Sequence, residues 1–379
     1  MHVAFINENM LGHSSYLMPF VRWFEAHPEA GIQPHVIDAA PLPAHLQRSA
    51  DMTIRGLRKV GLDFHSARWR LISSQHVRNQ LDKLRSNHPI DAVVVNTQSV
   101  ALQLEDVAGE MPVCVCLDAT FHQLAHSRWF APNKVASLLV PLTMAPIASP
   151  ERALFHSSAK LFPWCDEVAD SLRKDYGEPA EKVQPLPPSL DLMQLPFRSC
   201  GPLGSKPRLL FIGGDFARKG GPLLLEVFRQ HLSTRAELHI VTQSPINEEQ
   251  NVKVHRNVKA YSPEWHALWS KADAFVFPST LETFGLVLLE AMAFGVPLIA
   301  APVGAARELI GNNERGLLLD DYETTTLKKA LDSVLEIYPS ALRRAEAARA
   351  WVEQRHNLTV NAGVLATTLR QLSSKRQIS

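Results

Sequence analysis

Short apolar runs of four to six residues, each followed by a longer stretch with helical spacing, recur along this chain, and the alternation runs through twice. In the first half the runs include Val3–Ile6, Ala92–Val95 and Val113–Leu117; in the second they are Arg208–Ile212, Glu237–Thr242, Ala272–Phe277 and Pro297–Ala300. Strands alternating with helices imply a parallel sheet, so the expected class is α/β with two similar domains. Between them, Leu195 to Pro207 concentrates proline, glycine and serine with little apolar periodicity and reads as the linker. The expected domains are therefore 1–194 and 207–355. A length of 379 residues at 46% hydrophobic content is more than one core organises. From Leu342 to Leu372 the spacing of Ala345, Ala348, Trp351 and Val352 predicts helix.

Lysine plus arginine (39) nearly balances aspartate plus glutamate (38), so neither a nucleic-acid footprint nor long-range steering is expected. Cys114, Cys116, Cys165 and Cys200 form no Cys-x2-Cys pair, and no histidine pair has zinc spacing. They read as reduced thiols of a cytoplasmic protein without a bound metal. Met1 to Glu8 lacks a signal-like basic and apolar sequence and reads as a first strand. Val135–Ala148 is too short to span a bilayer and carries Pro141 and Pro146.

The most informative segment joins the strand Ala272–Phe277 to the turn Pro278-Ser279-Thr280-Leu281-Glu282-Thr283-Phe284-Gly285 and then to the helical run Leu286–Phe294, capped by Gly295 and stopped by Pro297. A helix start after a glycine turn leaves backbone N–H groups free for an anion, and a diphosphate suits it. Glu290, inside that apolar helix, needs strong donors to offset its desolvation. Helical side chains lean toward the N-terminus, so Glu290 and Glu282 can serve the hydroxyls of one ligand. Taken singly, Glu290 reads equally well as a core glutamate paired to an arginine, and Glu282 as a solvated loop residue.

A second candidate opens the later half. Leu209–Ile212 leads into Gly213-Gly214-Asp215-Phe216-Ala217-Arg218-Lys219-Gly220-Gly221-Pro222: a strand, a glycine turn with two cations, and a helix start with proline in its first turn. Gly214 allows close backbone approach, and Arg218 and Lys219 suit a diphosphate leaving group. Alone, this is also what an exposed basic turn looks like.

The two elements together, with Tyr261-Ser262-Pro263-Glu264 and Pro302-Val303-Gly304, resemble the signature of family 4 of the retaining glycosyltransferases. Weaker similarity lies in Leu161–Cys165, Ser171-Leu172, Asp175-Tyr176-Gly177 and Pro187–Asp191, so the resemblance covers the chain from about Glu151 onward. It implies the GT-B fold, two Rossmann-like domains facing a cleft, with a C-terminal helix over 356–379 packing back on the first. It implies that Glu282 contacts the transferred sugar, that Thr283 and the amides of Phe284, Gly285 and Leu286 meet sugar and phosphates, that Glu290 holds the ribose hydroxyls and that Lys219 holds the diphosphate. Members commonly work without a bound metal, and the nucleotide sugar is a co-substrate. The base is expected near Asn257–Tyr261.

The chain departs from the family pattern at two places. Gly214 stands where many members have arginine, making Arg218 the substitute candidate. Where many carry a histidine at a strand end, the run Val113–Leu117 ends in Asp118-Ala119-Thr120, with His122 and His126 beyond. Asp118 reads equally as an orienter of a sugar hydroxyl and as a turn cap; the two histidines read as ordinary surface or packed residues. The loop Asn9 to Ser15 places Gly12 as a candidate for close approach to donor phosphates or acceptor. It lacks Gly-x-Gly-x-x-Gly, which argues against a dehydrogenase. From His45 to His88, nine basic residues face three aspartates, a local +6; a solvated helical face is the plainer reading, weak attraction to an anionic membrane surface the sharper one.

The functional expectation is retaining transfer of a hexose from a nucleotide diphosphate sugar to an acceptor hydroxyl, with Glu282, Lys219, Arg218 and Asp118 as catalytic candidates. Fold alone also admits a sugar-nucleotide epimerase or a non-catalytic nucleotide-sugar-binding protein.

Overall fold

The computed structural model describes residues 1–10, 12–53, 64–127, 134–198 and 203–376. The chain divides into two compact units, Met1–Ser189 with Leu358–Ser379, and Leu190–Asn357. The first holds a wholly parallel sheet of β1 (His2–Asn7), β2 (Gln33–Asp38), β3 (Ile90–Asn96), β4 (Val113–Leu117) and β5 (Lys160–Pro163), in the order β2-β1-β3-β4-β5. The second holds β6 (Arg208–Ile212), β7 (Glu237–Val241), β8 (Val252–His255), β9 (Ala274–Phe277), β10 (Leu298–Ala300) and β11 (Leu317–Leu318), in the order β11-β10-β9-β6-β7-β8, again parallel.

The central strands are apolar on both faces because helices cover both. Val93, Val94, Val95, Val113 and Val115 are fully buried. In the helix Ser14–Ala26, Tyr16, Leu17, Phe20, Val21 and Phe24 lie on one face and bury completely or nearly so. The core of the second unit joins Leu209, Phe211, Leu238 and Ile240 to Phe228 of the helix Gly221–His231 and Leu331 of the helix Thr324–Glu336. Cys114, Cys116 and Cys165 are buried free thiols, and burial pushes the Cys116 thiol up to about 12, which makes it unreactive; Cys200 lies outside the described residues.

One sequence expectation changes, the place of the linker. The units divide at Ser189/Leu190, ahead of the proline- and glycine-rich stretch. Leu195 is fully buried, its carbonyl accepts from Arg349 Nη1 at 2.7 Å, and Arg198 pairs with Asp273 at 2.9 Å. Residues 190–198 are thus bound into the second unit: proline-rich composition marks irregular backbone, not absence of contacts. The helical pattern over 342–372 is divided between two helices, Tyr338–Arg355 and Leu358–Arg376, the second starting close to the expected 356. It breaks because the buried His356 turns its carbonyl to accept from Leu190 N–H at 2.8 Å, and Asn357 bridges to Leu190. The second of these helices belongs to the first unit, where Asn361 Nδ2 donates to Ser189 Oγ at 2.7 Å.

Candidate functional site

In the second unit the two turns read from sequence lie against each other at the carboxyl ends of β6 and β9. Gly220 makes this possible. It sits at φ +78°, and a Cβ there would lie 1.9 Å from the carbonyl oxygen of Pro278, so only glycine lets the first turn touch the second. Thr280 then donates to the Arg218 carbonyl through its N–H at 3.0 Å and its hydroxyl at 2.9 Å. The Gly214 carbonyl is held by Thr242 and Ser244 hydroxyls, both at 3.2 Å.

This brings Arg218, Lys219 and Glu282 together. Lys219 Nζ donates to Glu282 Oε1, which also accepts from Ser279 Oγ at 2.8 Å and lies 3.6 Å from Arg218 Nη1. Arg218 itself donates to the Leu281 carbonyl at 2.8 Å, and Lys219 Nζ stands 5.1 Å from the centre of the Phe277 ring. Burial lowers the Lys219 pKa against the opposing pull of Glu282. Gly304 closes the back of the site, packed against the Thr283 carbonyl and Glu282 Cβ.

Beyond the turn, Gly285 at φ +94° starts the helix Leu286–Phe294, and no side chain caps that end. Its amide-rich N-terminus therefore favours an anion. Gly295 at φ +70° ends the helix as expected. Glu290 has no hydrogen bond or ion pair to any described residue, contrary to a core glutamate paired to arginine, and burial raises its carboxyl to about 8. It is a protonated acid at neutral pH, able to donate one hydrogen bond and accept others.

The first unit assembles a second cluster at the carboxyl ends of β1, β3 and β4. His13 bonds through Nδ1 to Glu8 and lies with Nε2 3.3 Å from Asp118 Oδ2. Thr97 Oγ1 donates to Glu8 Oε2 at 2.9 Å, and Asn96 Nδ2 donates to the His13 carbonyl at 2.9 Å. Burial opposes the His13 charge, but Asp118 and Glu8 outweigh it and hold the imidazole well above its ordinary pKa. Asp118 is thus a partner of an imidazolium; the capping role goes to Thr120, which forms a capping box with Gln123. Gly12, at φ +90° with open space where a Cβ would stand, begins the turn that delivers His13. His122 and His126 lie apart from this cluster, ring against ring at 4.6 Å, with His122 beside Asp175.

Sequence reading missed Glu8, His13 and Thr97, because the contacts span up to 105 residues. One signal was present: a carboxylate directly after the first strand, where ligands gather in such sheets. The basic segment is partly consumed inside the unit. Arg78 pairs with Asp82 and Asp106, Arg85 pairs with Glu110, and Arg70 is pulled on by Glu8, Glu151 and Asp118; Arg55, Arg58 and Lys59 lie outside the described residues. No helix among the described residues is long and apolar enough to cross a membrane. No group of three or more His, Cys, Asp or Glu that would hold a metal occurs among them.

The chain is similar to known proteins in sequence and in fold. Residues 198–351 match the family model described as glycosyl transferases group 1. Glycogen synthase of Mycobacterium tuberculosis is 30% identical over 211 residues, 52% of this chain and 51% of that protein. D-inositol 3-phosphate glycosyltransferase of Geodermatophilus obscurus is 27% identical over 271 residues, 60% of each. The chain thus spans about half the length of the first of these relatives. Among solved structures, sucrose-phosphate synthase from Thermosynechococcus elongatus superposes with a TM-score of 0.70 at 17% identity, covering 99% of this chain and all of the other. Anabaena HepE in complex with UDP-glucose gives 0.65 at 16%, covering 98% and 100%. At that identity the likeness establishes the fold, two parallel α/β units of the GT-B kind. Residues 198–351 of the chain are thus similar to the group 1 glycosyl transferases.

Proposed function

We propose that this protein transfers a hexose from a nucleotide diphosphate sugar to an acceptor hydroxyl with retention of anomeric configuration. The observation that carries the reading is the convergence of Lys219, Arg218 and Glu282 between two amide-rich turns at the end of one sheet. The diphosphate lies against Lys219, Arg218 and the uncapped helix start at Leu286, and these stabilise the charge that develops as it leaves. The bond from the anomeric carbon to phosphate oxygen breaks, the bond to the acceptor oxygen forms on the same face, and the acceptor proton passes to a phosphate oxygen. No protein nucleophile is needed. With this positive charge already supplied by side chains and helix end, the proposed reaction takes no metal ion, and chelator leaves its rate unchanged.

Lys219 and Glu282 bind one another; an entering donor takes Lys219 for its phosphates and leaves Glu282, held by Ser279, to a sugar hydroxyl. Glu290 as a neutral acid suits the ribose diol. Tyr261, 42% exposed beside the left-handed Asn257 and its own left-handed backbone, borders the segment assigned to the base. Asp118 and Glu8, fixed by His13, serve acceptor hydroxyls in the first unit. UDP-glucose in the HepE complex is a precedent for the donor class, and a nucleotide sugar with buried reduced thiols suits the cytoplasm.

The test is incubation with UDP-, GDP- and ADP-hexoses and a panel of sugar and polyol acceptors, read by proton NMR at the anomeric position. A product glycoside keeping the donor's anomeric configuration is expected. An inverted product, or a new sugar nucleotide formed without acceptor, overturns the proposal.

A further inference from the structure

In the second unit the face of the sheet opposite its main core carries an unusual set of residues. Strands β7 and β8 place Leu238, Ile240, Val252 and Val254 on one side, and on the other Glu237, His239, Lys253 and His255, with Arg208 of β6 in register with Glu237. Parallel strands covered on both faces call for apolar residues on both. Here the helix Pro263–Lys271 lies over that face and leaves a cavity of about 280 Å³, floored by Leu210 and Leu268 and edged by Arg208, His239, His255, Lys253 and Lys271, with Glu264 beside His255 at 3.7 Å as the one acid in its lining.

Three observations give this cavity a chemistry. His239 is 8% exposed, and its Nε2 makes no close hydrogen bond; Glu237 Oε2 pairs with it only loosely, at 3.5 Å. Its other nitrogen, Nδ1, is fixed 3.1 Å from His255 Nε2, with the rings stacked at 13°. A buried orphan polar atom costs free energy unless something fills its valence. Lys253 and Lys271, in contrast to Arg208, which Glu237 neutralises at 3.1 Å, make no hydrogen bond or ion pair with any described residue. An apolar floor edged by two lysines without a close ion pair and an imidazole nitrogen with only a loose one is the composition of a ligand site.

We infer that this cavity binds a small organic anion, an oxyanion head on a compact apolar body, at a site separate from the Lys219–Glu282 turns. The body rests on Leu210 and Leu268, the head lies between Lys253 and Lys271, and His239 Nε2 meets a polar atom at the neck. The proposal stands apart from the transfer reaction and does not require it.

The experiment uses phenyl phosphate as probe on the full chain, with inorganic phosphate and benzyl alcohol as its two halves, followed by calorimetry and by histidine ring-proton NMR. Phenyl phosphate is expected to saturate below about 10 mM and to bind at least about tenfold tighter than either half. It is expected to shift the His239 and His255 resonances, to lose about tenfold in affinity in the exposed double variant Lys253→Ala/Lys271→Ala, and to persist unchanged with saturating UDP present. No saturation, equal binding of phosphate alone, displacement by UDP, or full affinity in the double variant each overturns it. Failure of the Lys219 site leaves these results untouched, so the two readings fall separately.

Discussion

Glu282 and Glu290 sit eight residues apart in contrasting surroundings. Glu282 is an acceptor for Lys219 and Ser279 with Arg218 close by, whereas Glu290 meets no donor and keeps its proton up to about pH 8. Glu282→Ala is expected to cut transfer by about a hundredfold or more while shifting the unfolding midpoint little; near-normal turnover removes it from the site. An unfolded glutamate releases its proton near pH 4.5. The folded state therefore holds the extra proton between that value and about 8, and stability falls as pH rises through the window. Glu290→Gln is expected to flatten that fall, measured by urea unfolding across the same range; an unchanged slope contradicts the assignment. Glu151, pushed to about 7 by burial, adds a similar slope in both proteins. His13 runs the same way at higher pH: its raised pKa contributes stability that is full below its ordinary 6.5 and fades as pH climbs through the folded value. His13→Ala leaves Glu8 and Asp118 buried without their cation and is expected to cost about 3 kcal/mol near neutral pH, a loss that shrinks in alkali. A constant loss at all pH values refutes the imidazolium.

At the scale of elements, what sequence reading recovered and what it missed divide by position in the sheet. The strands named from sequence, β1, β3, β4, β6, β7, β9 and β10, include every interior strand. Those not named, β2, β5, β8 and β11, are the four sheet edges. An edge strand is covered on fewer sides and loses the apolar run that betrays it: Gln33–Asp38 is interrupted by Gln33, His35 and Asp38, and Leu317–Leu318 is only two residues long. The two apposed turns were legible for the opposite reason. Each is built from one short contiguous stretch with its glycines, cations and acid in fixed order, while the His13 cluster gathers three distant strand ends that no local pattern joins. Contact between the turns rests on Gly220. Gly220→Ala forces a Cβ into the Pro278 carbonyl, and is expected to destabilise the protein by at least about 3 kcal/mol, read by urea unfolding; a loss below 1 kcal/mol or so means the turns do not pack as described.

For the whole molecule, the doubled strand–helix alternation made two α/β units readable, but the place where the chain passes between them was not. Composition pointed to 195–207, and contacts put the passage at Ser189/Leu190 and again at Asn357/Leu358. Those two passages are tied, by Leu190 N–H to the His356 carbonyl and by Asn361 to Ser189. Such ties join residues far apart in sequence and leave no mark in composition. The central claim, a diphosphate gripped by the Gly213–Gly221 turn against the start of the Leu286 helix, concerns the second unit alone. Its most direct measurement is calorimetric titration of UDP, GDP and ADP into the wild-type chain and into Lys219→Ala. At least one nucleotide is expected to bind the wild type and to lose about tenfold or more in the variant; no binding by any of the three, or equal affinity in both proteins, contradicts the account.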